Sequence, residues 1–173
     1  RVLCRTQSEY MACIKYIVPF IYAGMIQTRN RELVHQSLEL FGKLGTSHEN
    51  VNVFCNNIPK EIFLLVIELM MVNTTNTDPL ICVNAKSTDR QGLHRPPAGN
   101  VGKFYSEVCD IETRDHALEC VNQMVTMALP KLQLRWMEME TFLPTLFRII
   151  DVQPHTTRTE GIIKAMSILQ CLG

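Results

Sequence analysis

Apolar residues recur along this chain at spacings of three and four, and one eight-residue phrase carries that spacing three times. The copies are SLELFGKL at 37–44, ALECVNQM at 117–124 and AMSILQCL at 165–172. Each opens with a small residue, then Leu or Met, then Glu or Ser. An apolar residue stands fifth and Leu or Met eighth. On a helix those positions form one stripe.

The pattern around the copies predicts the remaining elements. Residues 8–27 read as a helix or helix pair broken near Pro19, with Ser8 as cap and Glu9 favourably placed in the first turn. Residues 30–44 form a helix that starts near Asn30 and stops at the Gly42/Gly45 pair. Only the TRN of 28–30 separates the two, and so short a connection makes antiparallel neighbours. Residues 46–58 are expected to add a turn or short helix, with Val51, Val53, Phe54 and Ile58 as apolar members. A strong helix over 59–72 begins with Pro59 near its first turn.

From Asn73 to about Lys103 the character changes. Asn, Thr, Asp, Gly and Pro cluster in turn-forming groups and helical periodicity is weak. This segment reads as a long loop or insertion, within which LICV at 80–83 is either a short strand or a pin to the core. Helical pattern resumes near 104 and strengthens over 112–129, opened by Glu112 or Thr113 and interrupted by Pro130. Residues 131–151 hold another helix or two, with Leu132, Leu134, Trp136, Met139, Leu143, Leu146, Phe147 and Ile150 as core candidates. Gln153-Pro154 breaks the chain, and the third copy follows over 156–172, capped by Thr156 or Thr157. VPFIY at 18–22 and LPTLF at 143–147 share a pattern, and each precedes a copy of the phrase by about 20 residues.

No β-hairpin signal interrupts this, so the class is all-α. The last two copies lie 48 residues apart, close to the roughly 40–47-residue period of armadillo and HEAT units. The first two lie 80 apart, nearly one period plus the loop. The expected fold is an armadillo/HEAT-like right-handed α-solenoid of about three to four helical repeats, with one long inserted loop at 73–103. Residues 1–173 are expected to form one such domain. Because the sequence begins at Arg1, it is expected to be a segment of a longer protein.

Composition narrows the functional classes. An apolar fraction of 46% excludes global disorder. Seventeen basic and seventeen acidic side chains cancel, so contact with nucleic acid or an anionic membrane would need a local patch. Seven scattered cysteines with no CxxC pair (Cys4, Cys13, Cys55, Cys82, Cys109, Cys120 and Cys171) suit reduced, buried thiols of a nuclear or cytoplasmic protein. The apolar run IFLLVIELMMV at 62–72 contains Glu68 and falls far short of the roughly 20 residues that cross a bilayer.

Candidate chemistry is sparse. His116 and Cys120 share a helix face and Cys109 lies nearby, but a fourth zinc ligand is lacking, and Cys120 matches the apolar Leu40 and Ile168 of the other copies. That equivalence makes Cys120 a core residue. The five histidines fall on separate segments, and no nucleophile motif or phosphate-binding glycine loop occurs. No catalytic residue, cofactor, metal, membrane or small-molecule substrate is expected. The one charge signal lies in the insertion, where Lys86, Arg90, Arg95 and Lys103 face only Asp89. Arg29 and Arg31, then Arg114 and Arg158, recur near the starts of the phrase helices. Lys86, Arg90, Arg95, Lys103, Arg29 and Arg31 are therefore the candidate contacts to a partner or to nucleic-acid phosphate, the alternative being a solvated surface. Trp136 with Met137 and Met139 reads as core rather than as a docking patch.

RELVHQSLELFGKLGTSHENVNVF (31–54), TRDHALECVNQMVTMAL (113–129) and TRTEGIIKAMSILQCLG (157–173) resemble armadillo-type repeats. Their order is similar to the armadillo region of the ARID-bearing subunit of polybromo-type SWI/SNF chromatin remodellers. The likeness covers most of the chain outside 73–103. The resemblance implies a nuclear, non-catalytic structural subunit that holds other protein subunits of a remodelling complex together. A nucleic-acid or nucleosome contact through the basic 86–103 loop, or another armadillo adaptor role in transport or signalling, are the alternatives. The Trp-x-x-x-Asn ladder of nuclear import receptors is lacking, since Trp136 is followed four residues on by Glu140.

Overall fold

The computed structural model describes residues 6–26, 30–71, 111–127, 129–152 and 160–173, and among these residues every regular element is helical. The first helix, α1, spans Gln7–Met25. Its cap is Thr6 and not Ser8: Thr6 Oγ1 accepts from the Glu9 N–H, and the Glu9 carboxylate accepts from the Thr6 N–H, both at 3.2 Å. This reciprocal box satisfies two otherwise orphaned donors. The helix runs unbroken through Pro19. The carbonyl that loses its donor there belongs to Lys15, on an exposed stretch open to water, so the ring interrupts one bond without ending the helix.

Helix α2 spans Arg31–Gly45 and is capped by the Asn30 side chain, which accepts from Leu33 N–H at 3.1 Å. A 3-10 turn at His48–Asn50 leads into α3, Val51–Asn57. Extended backbone at Ile58, as expected before a proline, turns the chain into α4, Lys60–Met71. Ile62, Phe63, Leu65, Val66, Ile67, Leu69 and Met70 of α4 are all buried, so this is the central helix and its apolar run marks burial on nearly every side. Beyond the insertion come α5, Ile111–Thr126, and α6, Pro130–Met137. Pro130 takes the first position of α6, where its missing N–H costs nothing. Last come α7, Phe142–Val152, and α8, Glu160–Leu172.

The three copies of the phrase lie on α2, α5 and α8, and these helices lie side by side in chain order, α5 against α2 and α8 against α5. A second row backs them, with α1 on α2, α4 on α5 and α7 on α8. Helix α4 also touches α7, and α3 meets both α1 and α6. Tilted and edge-on aromatic rings tie the rows together. Phe41 of α2, Phe54 of α3 and Phe63 of α4 meet with centroids 5.5–6.1 Å apart. Phe63 continues edge-on to Trp136 of α6 at 4.8 Å, and Trp136 reaches Phe142 of α7 at 5.3 Å. Such pairs contribute about 0.5–1.5 kcal/mol each beyond their buried area.

Several expectations change here. Helix α2 ends at Gly45 as expected, but Gly42 and Gly45 have a further role: both are helical and buried against α5. A methyl group at Gly45 would lie 2.8 Å from Met124, and one at Gly42 would lie 3.2 Å from Gln123, so these glycines let two helices approach. Leu134 and Phe147, expected in the core, are exposed, whereas Leu132, Trp136, Met139 and Leu146 are buried as expected. The reading of LICV at 80–83 and of the 73–103 insertion falls outside the described residues.

Candidate functional site

The most polar feature among the described residues is the seam where the first halves of α2, α5 and α8 meet. Helical periodicity places Arg31, Glu32 and His35 of α2 beside Glu112, Thr113 and His116 of α5. Arg31 pairs with Glu112 at 3.6 Å. His35, nearly buried, shares a hydrogen bond with Thr113 Oγ1 at 2.8 Å through its Nε2. Its ring stacks on that of His116, with centroids 4.1 Å apart and planes 22° from parallel. Between α5 and α8, Lys164 pairs with Glu119 at 3.2 Å and with Glu160 on its own helix at 3.5 Å.

Arg114 is the most deeply placed charge in this region, at 1% exposure. Its Nε and Nη2 donate to Asp115 Oδ1 at 3.3 and 3.1 Å, and its guanidinium lies over Gly161 of α8, 2.7 Å from where a methyl group would stand. Only glycine leaves room for that plane. Arg114, one of the arginines near the starts of the phrase helices, is thus a buried charge paired with Asp115 at a helix junction. Burial of so costly a group is tolerated because the carboxylate beside it is within bonding distance.

A cavity of about 510 Å³ opens over this seam, lined by Glu32, His35, Glu112, Asp115, His116, Glu119, Glu160 and Lys164. Five carboxylates against one lysine give its wall an acidic character. Glu39, one turn further along α2, has its carboxyl held below the usual range, chiefly by the hydrogen bond from Lys43, with the charge of His116 acting in the same direction. Among the described residues no three His, Cys, Asp or Glu side chains gather to hold a metal ion.

A second, apolar cleft of about 290 Å³ lies between α1 and the α3–α4 turn, bounded by Met11, Ile14, Lys15, Val18, Pro19, Asn57 and Pro59.

The residues singled out from sequence fall unevenly. Lys86, Arg90, Arg95 and Lys103, together with Arg29 and Arg158, lie outside the described residues, as does Cys109. Arg31 stands at the mouth of the seam in its pair with Glu112. Cys120 does not join His116 as a ligand pair. It is buried against Gly42, and burial pushes its thiol far above the ordinary range, with Glu119 adding to the effect. Trp136 is fully buried.

Sequence reasoning missed the His35–His116 stack and the Arg114–Gly161 contact. Aligning the three copies shows only which positions are equivalent, not which side chains meet. Asp115 and His35 occupy the same place in their copies, and Gly161 stands where Thr113 does. No described helix is long and apolar enough to cross a membrane. No protein-family model, curated protein or solved structure matches the chain.

Proposed function

We propose that this chain is a non-catalytic protein-interaction scaffold, a short armadillo/HEAT-like solenoid that holds other subunits of a nuclear complex. One observation carries the reading. The three phrase helices stack in chain order, and the same positions recur at both junctions. Glu39 feels the charge of His116 across the first seam, and Glu119 pairs with Lys164 across the second. In the register of the phrase, the two glutamates are equivalent, and so are His116 and Lys164. Stacks of this kind bury their apolar stripes between neighbours and leave long polar flanks free for partners.

The armadillo likeness of 31–54, 113–129 and 157–173 gives the proposal its finer form: a structural subunit of a SWI/SNF-type chromatin-remodelling assembly. Affinity purification of the chain from nuclear extract, with mass spectrometry of its companions, tests that form. Co-recovery of remodeller subunits is the expected result. Their absence beside other stoichiometric partners refutes the chromatin assignment, and the absence of any stoichiometric partner refutes the scaffold itself.

A further inference from the structure

The two junctions between phrase helices use the same positions with different chemistry. In the register of the phrase, His35 is equivalent to Asp115, and His116 to Lys164. The α5–α8 junction thus carries a carboxylate and an ammonium where the α2–α5 junction carries two imidazoles. All four side chains line the one cavity over the seam. Carboxylate and ammonium groups ordinarily hold their charges between pH 5 and 8, whereas imidazole is the side chain whose charge ordinarily changes there.

His35 and His116 stack face to face, with centroids 4.1 Å apart and planes 22° from parallel. His35 is nearly buried and His116 is exposed. The cavity of about 510 Å³ above them gives water access to the pair in the folded chain. Uncharged rings in such contact attract one another. Two imidazolium ions about 4 Å apart repel, enough even in bulk water to shift an equilibrium about fivefold, and more where one ring is shielded from solvent. The 2.8 Å bond between His35 Nε2 and Thr113 Oγ1 does not oppose this change. A hydroxyl accepts from a protonated ring nitrogen as readily as it donates to a neutral one.

Charged groups face the pair from each helix packed around it. They are Arg31, Glu32 and Glu39 of α2, Glu112, Arg114, Asp115 and Glu119 of α5, and Glu160 and Lys164 of α8. Carboxylates outnumber cations among them, so the surround favours a proton on either ring. It leaves untouched the repulsion between the rings, which acts only when both are charged. The surround favours the first proton, and the stack opposes the second.

We propose that the His35–His116 stack is a proton-sensitive joint between α2 and α5: with at most one charge it holds the two helices together, and with a proton on each ring it drives them apart. The device is independent of what the scaffold binds. It belongs to the first junction alone, because the second has no imidazole at Asp115 or Lys164.

A double-mutant cycle in the full chain tests this, with His35→Gln, His116→Gln and both together unfolded by urea at pH 8 and at pH 5. Glutamine is polar and uncharged, and the cycle cancels what the surrounding charges do to either ring alone. The coupling between the histidines is expected to stabilise the fold at pH 8 and destabilise it at pH 5, a change of about fivefold or more in the folding equilibrium. A matched cycle on Glu119→Gln and Lys164→Gln should keep its sign at both values. Ring signals in NMR spectra of the unaltered chain give a readout that needs no variant to fold. Each is expected to move in two steps with pH, as coupled sites do, and the His35 signal in His116→Gln in one. A histidine coupling that is equal at the two pH values or more favourable in acid, a matched cycle that reverses as well, or one-step titration of both rings in the unaltered chain overturns the proposal.

Discussion

Glu68 on α4 is the sharpest test of the core. It sits half-buried on the central helix between Ile67 and Leu69, both buried, and burial pushes its carboxyl up from 4.5 to about 7. In the folded chain the group keeps its proton until about pH 7, whereas in the unfolded chain it gives the proton up near 4.5. Between those values the folded state binds more proton. Stability therefore falls as pH rises through this window and stays at its lower level above it. The displacement corresponds to about 3 kcal/mol. For a chain of this size that is about 6–12 °C in melting temperature.

Glu68→Gln places a neutral isostere there and removes the titration. Urea unfolding followed by circular dichroism, at fixed ionic strength from pH 4.5 to 8.5, reads the effect. The variant and the parent should be nearly equal at the acidic end, and the variant more stable by about 3 kcal/mol at the alkaline end. A variant no more stable than the parent at pH 8, or one with the same pH slope, would refute the argument.

Three other perturbations follow from contacts between helices. Gly24→Ala would set a methyl group on Ser37 Oγ and 3.2 Å from Ser37 Cβ, so it should destabilise by about 1–3 kcal/mol despite alanine's better helix propensity, and Ser37→Ala in the same chain should recover part of the loss in urea unfolding. Arg114→Met removes the ion pair that the buried guanidinium makes with Asp115 and should destabilise the chain in urea unfolding. Gly161→Ala, destabilising alone because of the guanidinium 2.7 Å away, should lose its effect in that background, a coupling that a double-mutant cycle measures. Among the described cysteines, exposed Cys171 should alkylate first, while Cys55 and Cys120, buried with thiols pushed up, should react only on unfolding, as peptide mapping would show.

What could be read from the sequence followed the range of each signal. Periodicity acts within one helix, and it located α2, α4, α5 and α8 and placed Cys120 in the core. Asn30 as a cap was legible because the side chain bonds a backbone group three residues on. Thr6 was missed because its box depends on Glu9 reaching back, which competes with the equally plausible Ser8. The path of α1 through Pro19 depends on which carbonyl faces water, a property of the folded surface. Gly42, Gly45 and Gly161 have no local signature that separates helix stop from close approach; the deciding atoms belong to Gln123, Met124 and Arg114, far away in sequence. The seam was illegible for the same reason. His35 and His116 are 81 positions apart, and only side-by-side stacking of α2 and α5 makes their rings meet.

The chain of aromatic rings has a consequence for how the polypeptide can be cut. Phe41, Phe54 and Phe63 come from before residue 72, and Trp136 and Phe142 from after residue 110, so the 4.8 Å meeting of Phe63 with Trp136 is a contact between two stretches of chain. The contacts of α2 and α4 with α5 span the same divide. These contacts join the halves independently of the chain that links them. Residues 1–71 and 111–173, supplied as two separate polypeptides, should find one another and rebuild the core between them.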